Sequence, residues 1–408
     1  ITINRISNQT KNNLNIRTVK IIRVAGVELI TASDFGNVTT VLVQTRAINA
    51  AASYRKRDFN AVVTRKLATY DLTSQTVTTT ISATSKMADA VLHILTDPHM
   101  GNKPLSQIDV KTLYEIQQSI DTEDYRLGRF CYTFSNASTP LQEELQVALN
   151  SARCLVYREG SMFRFVRDEI KPYRTALFNK RIKKPNAEKR SIIFSLPNSF
   201  DGVSFDWVDE ITNDKQTIIF PENGSPLNPK KIDGAGIKNF TQAYDRAFLE
   251  FNKMQKQRTE VTTTVLSAGM LVSIGDRVAC SNSNIIGTQD GEIVGIDGLN
   301  VATSEFIYFG AFTSGTVLFR DSNGEVSSVR TAYPIPGNNY GFILDSLPEF
   351  PIIIRGDEDY QIGTLFNFSP NSNHDIDDFL VKGIEPSSDG YVTLKLINYD
   401  PSVYFTPP

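Results

Sequence analysis

The run at residues 241–279, TQAYDRAFLEFNKMQKQRTEVTTTVLSAGMLVSIGDRVA, changes period part-way along. Tyr244, Ala247, Phe248, Phe251 and Met254 share one face if the first half is helical. Lys253, Lys256 and Arg258 gather near the C-terminal end of that helix, where positive charge suits its dipole. From 260 to 265 the spacing gives way to a β-branched run, EVTTTV, which predicts a strand with Thr on one face. Ala268 and Gly269 make a turn, and Ile274, Gly275, Asp276 and Arg277 make a second that re-enters a strand at Val278. A chain with this stretch has to dock one amphipathic helix against whatever its strands build. Nothing here is catalytic; it reads as a scaffold joint. Phe248 and Phe251 are the expected docking residues. Gly275, ahead of Asp276 and Arg277, is expected to need a turn conformation that a side chain would strain.

At 408 residues the chain is long for one domain, and roughly two to four are expected. A hydrophobic share of 40% is ample for their cores, and a net charge of −3 argues against bulk binding of nucleic acid. Cys131, Cys154 and Cys280 lie far apart and are odd in number, so they form no complete disulfide framework and reduced thiols are expected. No apolar run approaches the ~20 residues of a membrane-spanning helix. The sequence begins at Ile1 rather than Met, so its first domain is taken as incomplete.

The expected fold class is α+β, mainly β, and multidomain: β-barrel or sandwich domains with a small helix-containing α+β domain. Residues 1–85 read as β-rich. Residues 86–170 read as α+β. Met87, Ala90, Val91, Ile94 and Leu95 space one helix, which Asp97, Pro98 and Gly101 end. A second helix is expected over 109–120 and a strand over 130–134. Thr139 as cap, Pro140 at the first helical position and Gln142 completing a capping box open a third helix. A hairpin over 154–166 turns at Glu159 and Gly160. Residues 171–259 hold strands near 191–194 and 215–220, a Pro- and Gly-rich loop over 221–236, and the connecting helix. Residues 260–408 read as a barrel or sandwich, with strands over 291–297, 305–309, 315–320, 360–368, 378–384 and 390–397. A turn is expected at 321–324 and a loop at 334–341.

Chemistry is sparse. His93 falls in a helix, His99 in the turn that ends it, and His374 beside Asp375, Asp377 and Asp378. None has the spacing of a zinc site, and both that acidic loop and the run at 357–359 lack EF-hand spacing. Asp206 and Asp209 imitate a glycosidase dyad by proximity in sequence alone. Residues 180–184, KRIKK, and 55–57, RKR, read as solvent-facing basic turns. No phosphate loop, nucleophile elbow or HExxH occurs. No catalytic residue, cofactor site or metal site is assigned, and an enzyme is not expected.

Four segments carry a resemblance. They are ADAVLHILTDP at 88–98 with Gly101, the strand–helix–hairpin stretch at 130–167, the joint at 241–278, and the closing FLVKGIEPSSDGYVTLKLINYDPSVY at 379–404. In this order they resemble the central tail-tip (host-specificity, tail-hub) proteins of tailed bacteriophages, which are similar to contractile-tail baseplate hubs. The resemblance implies hub domains at 1–85 and 260–408 and a homotrimer whose paired barrel-like domains face a hexameric tube with pseudo-sixfold symmetry. It implies as partners a tail-tube or distal tail protein, tail-fibre or receptor-binding proteins, a tape-measure protein and a receptor on the host surface, with DNA only in passage. It implies a place at the distal end of the virion's tail, assembled in the host cytoplasm, and a role in closing or gating the ejection channel. The segments do not include the long C-terminal receptor-binding part common in that family. Two alternatives stay open: a carbohydrate-active tail enzyme, and a type VI secretion spike of the same fold.

Overall fold

The computed structural model describes residues 63–134, 139–194, 200–282, 289–356, 363–370 and 376–405. The strands expected before residue 63, the 55–57 cluster, the 357–359 run and His374 with Asp375 lie outside these residues. The described chain is mainly β with a few helices, as its patterning predicts.

The first part is an α+β unit. Short ladders join β1 (Lys66–Leu67) to β4 (Ser82–Ala83) and β2 (Tyr70–Asp71) to β3 (Thr76–Val77). Then come α1 (Met87–Thr96), α2 (Val110–Asp124), α3 (Leu141–Asn150) and the hairpin β5 (Cys154–Glu159) and β6 (Met162–Arg167). Met87, Val91, Ile94 and Leu95 bury one face of α1 against Leu113, Ile120, Leu145 and Phe165. Pro98 forces Asp97 into an extended conformation (ψ 129°), and α1 stops there. Asp109 caps α2, accepting from the Thr112 amide at 3.3 Å.

Three local expectations fail in this unit. Residues 130–134 form no strand: the Phe130 amide donates to Ser85 and the Cys131 amide to Gly236, so no ladder builds. The capping box is absent because Pro140, not Thr139, holds the cap position; its carbonyl accepts from Glu143 and Glu144, and it has no side chain to accept a bond. The hairpin turns at Gly160 and Ser161, one residue later than expected, because Glu159 still pairs with Met162.

Next come β7 (Ala176–Phe178) and β8 (Lys189–Ile192), then β9 (Gly202–Val208), β10 (Lys215–Phe220) and β11 (Pro229–Asp233), in the order β10-β9-β11. Strand β11 sits inside the expected 221–236 loop, parallel to β9. Its sequence, PKKID, has one apolar residue and so no alternation to read, which suits a sheet edge. Val203, Phe205 and Trp207 alternate along β9 and bury one face of this sheet under α4 (Phe240–Lys256).

After β12 (Thr259–Val265) and β13 (Arg277–Ser281) the chain builds a closed barrel. Its strands are β14 (Gln289–Asp297), β15 (Asn300–Thr303), β16 (Gly315–Arg320), β17 (Arg330–Ile335), β18 (Asn338–Leu344) and β19 (Leu365–Ser369). The barrel order is β14-β15-β18-β17-β16-β19. The chain then returns as β20 (Ile376–Pro386) and β21 (Val392–Asn398). Strand β12 places Thr on both faces, because Thr263 is buried alongside Val261 and Val265. Residues 305–309 are not a strand; Ile307 and Phe309 pack onto the barrel core while the ladder position goes to β15. The expected 334–341 loop is the β17–β18 hairpin, and Pro334 is accommodated where its register shifts.

Before and after the barrel, the chain contributes to one six-stranded sheet, ordered β7-β13-β20-β21-β12-β8. The barrel is therefore inserted into this sheet's sequence. The sheet curls round a single core of Phe178, Val261, Val265, Val278, Phe379, Val381, Leu394 and Leu396. Arg190 on edge strand β8 reaches Ser281 of β13 (3.3 Å) and Asp377 of β20 (2.7 Å), so the two ends of the sheet nearly meet. Phe319, Phe342, Phe366 and Phe368 fill the barrel, with Phe342 5.9 Å from Phe366 and 6.1 Å from Phe368 between ring centroids.

Candidate functional site

The joint around α4 is where the units converge. Asn239 caps the helix, accepting from the Gln242 amide at 2.8 Å. The Gln242 side-chain nitrogen lies within hydrogen-bonding reach of three carbonyls of the α+β unit: Leu127 (3.1 Å), Arg129 (2.8 Å) and Ser151 (2.8 Å). One turn on, Asp245 meets Arg153, whose Nε donates at 2.6 Å. Burial pushes Arg153 down to about 10, helped by repulsion from Arg167 and Arg246. Further along, Lys253 pairs with Asp168, which also accepts from the Tyr404 hydroxyl at 2.7 Å. Burial raises the Asp168 carboxyl, but Lys253 and Tyr404 outweigh it and hold the group below the usual range. Glu250 behaves alike: burial raises it, and Lys253, Arg246 and Lys230 bring it below its ordinary value. Asn252 donates to Val403 (3.0 Å) and Lys256 to Ser402 (2.6 Å), pinning the end of the described chain.

The helix is thus buried on more than one side. Tyr244, Phe248 and Phe251 are half-buried on the three-stranded sheet, where Phe220 stacks on Phe251 at 5.7 Å and meets Phe248 edge-on at 5.5 Å. The polar residues Gln242, Asp245 and Asn252 are buried too. Sequence periodicity missed them, since a buried polar residue and an exposed one read alike.

Gly275, Asp276 and Arg277 belong to a different contact. Gly275 has φ +90°, and a Cβ there would come 2.6 Å from Val166 on the hairpin. Its amide donates to Val381 at 2.8 Å. Asp276 accepts from the Ser273 amide (2.8 Å), and burial raises its carboxyl. Arg277 reaches Asp378 through Nε at 3.2 Å, donates to the Lys171 carbonyl at 3.1 Å and lies over the Tyr399 ring. Arg174 holds the other oxygen of Asp378 at 2.7 Å.

Chemistry-bearing side chains elsewhere are taken up structurally. Asp206 accepts from Thr217 (2.6 Å) and Lys215 (2.8 Å), while Asp209 closes a turn by accepting from the Ile211 and Thr212 amides. His93 lies 3.5 Å from Asp97, and burial lowers it. Asp377 and Asp378 are both held by arginines. The 180–184 segment faces solvent only in part: Arg181 and Lys184 are exposed, while Ile182 and Lys183 are buried. Arg181 pairs with Glu292 of the barrel (3.0 Å), Lys183 is buried against Glu188 (2.6 Å), and Lys184 pairs with Asp389 (3.5 Å). The segment fastens sheet to barrel because acidic partners from both surround it. Among the described residues no three His, Cys, Asp or Glu side chains gather as a metal site, and the three cysteines are free. A pocket of about 170 Å³ beside His93 and Leu92 is smaller than the ~300 Å³ usual for a ligand site.

Among the described residues, apolar side chains face outward in several places. Ile192, Ile193 and Phe194 are more than half exposed at and just after β8, the last strand in its sheet's order among the described residues. Phe306 and Tyr340 meet edge-on at 5.9 Å on the barrel exterior, near the exposed Tyr308.

Solved structures show partial likeness to this chain, two of them as follows. The virion of native gene transfer agent (GTA) particle shares 11% identity with a TM-score of 0.43, over 78% of this chain and 48% of that one. The tail protein from Neisseria meningitidis MC58 shares 13% identity with a TM-score of 0.27, over 66% and 57%. The chain therefore spans about half the length of each. At such scores neither likeness fixes a fold or a function. No protein-family model matches the sequence, and no curated protein does.

Proposed function

We propose that this chain is a structural component of a phage-type tail, a trimeric hub that joins the tail tube to the distal receptor-binding apparatus and closes or gates the ejection channel. The observation that carries the reading is the nesting of two barrel-like β units, a closed barrel inserted into a curled six-stranded sheet. Two such units per subunit offer a hexameric tube six similar faces from three copies. The ordered sequence segments that resemble those of tail-tip proteins support the same reading.

In it, α4 transmits load between the α+β unit and the β units. Phe248 and Phe251 dock it, and Gly275, Asp276 and Arg277 lock the sheet to the hairpin. The partners are two further copies, a tube or distal tail protein, fibre or receptor-binding proteins and a tape-measure protein. The outward patches at 192–194 and around Phe306 are surfaces available for such contacts. No bond of a substrate is made or broken.

Native mass spectrometry of the purified chain tests the stoichiometry, with three times the chain mass expected. Electron microscopy of tails labelled with an antibody to this chain tests the location. A monomer at all concentrations, or label anywhere except the tail tip, overturns the reading.

A further inference from the structure

The segment between β15 and β16 packs on the barrel through Ile307 and Phe309. Ile307 is buried in the core, and Phe309 meets Phe368 edge-on at 4.7 Å. Phe306 and Tyr308 flank Ile307, so both rings are turned outward. Tyr340 on β18 meets Phe306 edge-on at 5.9 Å. Further along, the Tyr308 and Phe312 rings stand beside Gly310, where a Cβ would make ordinary contacts of 3.7 Å with Tyr308 Cε1 and 3.9 Å with Phe312 Cδ2. Gly310 has φ +66°, which favours glycine, so no side chain covers the rings there. Four aromatic rings, each about half exposed, thus follow one another in the order Tyr340, Phe306, Tyr308, Phe312 on the outside of the barrel.

The strip is held from behind. Gln289 clamps the Tyr308 backbone, accepting from its amide at 2.6 Å and donating to its carbonyl at 2.8 Å. The Ile307 amide donates to the Asn339 carbonyl at 2.7 Å, and the Phe312 amide to the Phe309 carbonyl at 3.2 Å. Rings on a backbone fixed in this way have little freedom left to lose when a ligand lies on them.

The surroundings narrow what that ligand is. Residues 304–314, SEFIYFGAFTS, and 338–341, NNYG, include one charged residue, Glu305. The cation beside it, Arg181, is already matched by Glu292 at 3.0 Å and Glu305 at 3.7 Å. Stacking platforms for single-stranded nucleic acid set their rings in a cationic groove, which these segments do not supply. Their branched aliphatic residue, Ile307, is turned inward, so the rings lack the aliphatic surround of a protein-docking core. What lies beside the rings is uncharged and polar: the Tyr308 and Tyr340 hydroxyls and the exposed Asn339 and Thr313. A neutral sugar chain matches both features, since each of its rings has an apolar C–H face and a rim of hydroxyls.

We propose that Tyr340, Phe306, Tyr308 and Phe312 form a binding platform for an uncharged polysaccharide, with sugar rings laid on the aromatic faces and hydroxyls bonded to the neighbouring amide and hydroxyl groups. The chain binds the polymer and does not cleave it. The platform goes beyond the tail reading and does not rest on it. A trimer at the tail tip that ignores sugars would sink the platform alone, and a monomer that binds them would sink the tail reading alone.

Isothermal titration of the full chain with maltoheptaose, cellohexaose, mannohexaose, chitohexaose and oligothymidylate tests the platform. At least one of the four sugars is expected to bind with a Kd of about 1 mM or tighter. Its monosaccharide should bind about tenfold more weakly or worse, because one sugar ring covers one aromatic face. Phe306→Ala and Tyr308→Ala, at exposed positions, should each weaken binding by about fivefold or more. Tyr173→Ala, at an exposed tyrosine outside both segments, should leave it unchanged. No response to any of the four sugars, sugar binding that survives both ring deletions, or oligothymidylate bound more tightly than every sugar overturns the platform. So does sedimentation showing that Tyr308→Ala has lost a self-association of the wild type, which would make the strip an interface between copies.

Discussion

Arg153 and Asp245 form an ion pair with side chains only 8% and 9% exposed, one from the start of the β5 hairpin and the other from the middle of α4. Two charges so deeply placed stabilise only as a matched pair, because each alone would be a desolvated ion. Asp245→Ala is therefore expected to cost about 3–5 kcal/mol. Replacing both residues with apolar side chains of similar volume should cost far less. Urea unfolding of the two variants checks this; a single variant within about 1 kcal/mol of wild type would show that water reaches Arg153.

Phe251 is half-buried, stacked on Phe220. Phe251→Ala is expected to cost about 2–3 kcal/mol, below the ~3–5 of a fully enclosed phenylalanine. Phe220→Ala, which removes the shared partner of Phe248 and Phe251, should cost more. Denaturant midpoints settle the order, and the reverse order would mean that α4 docks through its polar face instead.

Gly275→Ala meets two penalties, a φ of +90° and a 2.6 Å approach to Val166. A loss of about 1–3 kcal/mol is expected. Val166→Ala should restore only the steric share, since backbone strain remains. Full restoration in the double variant would be evidence against the strain.

Stability should depend on pH with two opposing signs. Burial raises Asp276 and Asp290, so as pH falls the folded state takes up their protons first and gains stability. Asp168 and Glu250 are held below their ordinary values, so the unfolded state takes up those protons first. Their stabilisation is present above roughly pH 4 and is lost as pH falls through the depressed folded values. Unfolding midpoints from pH 7 to 2 should rise slightly and then fall. Lys253→Met should shrink the falling limb; an unchanged limb would show that Lys253 does not hold Asp168 down.

Much of the local structure was legible because it follows from short-range periodicity. The apolar spacing of α1 and α4, the β-branched run of β12 and strands such as β10 and β16 all lie where their patterns put them. Strand β11 was not legible, since its KKID carries no alternation and its pairing with β9 is non-local. Nor was β15, a short ladder that displaced the more hydrophobic 305–309 segment. At the candidate joint, Phe248 and Phe251 were visible as an apolar stripe. Gln242, Asp245 and Arg153 were not, because nothing in a sequence marks a polar residue whose partner lies ninety positions away.

The sequence by itself determined the class of the protein, mainly β with a few amphipathic helices, because hydrophobic period and turn chemistry are local properties of the chain. Only the tertiary structure decided that the barrel interrupts a sheet drawn from both sides of it and that the basic 180–184 segment clasps the two together. Strand order and charge burial depend on which distant residues arrive as neighbours, and no local pattern encodes that.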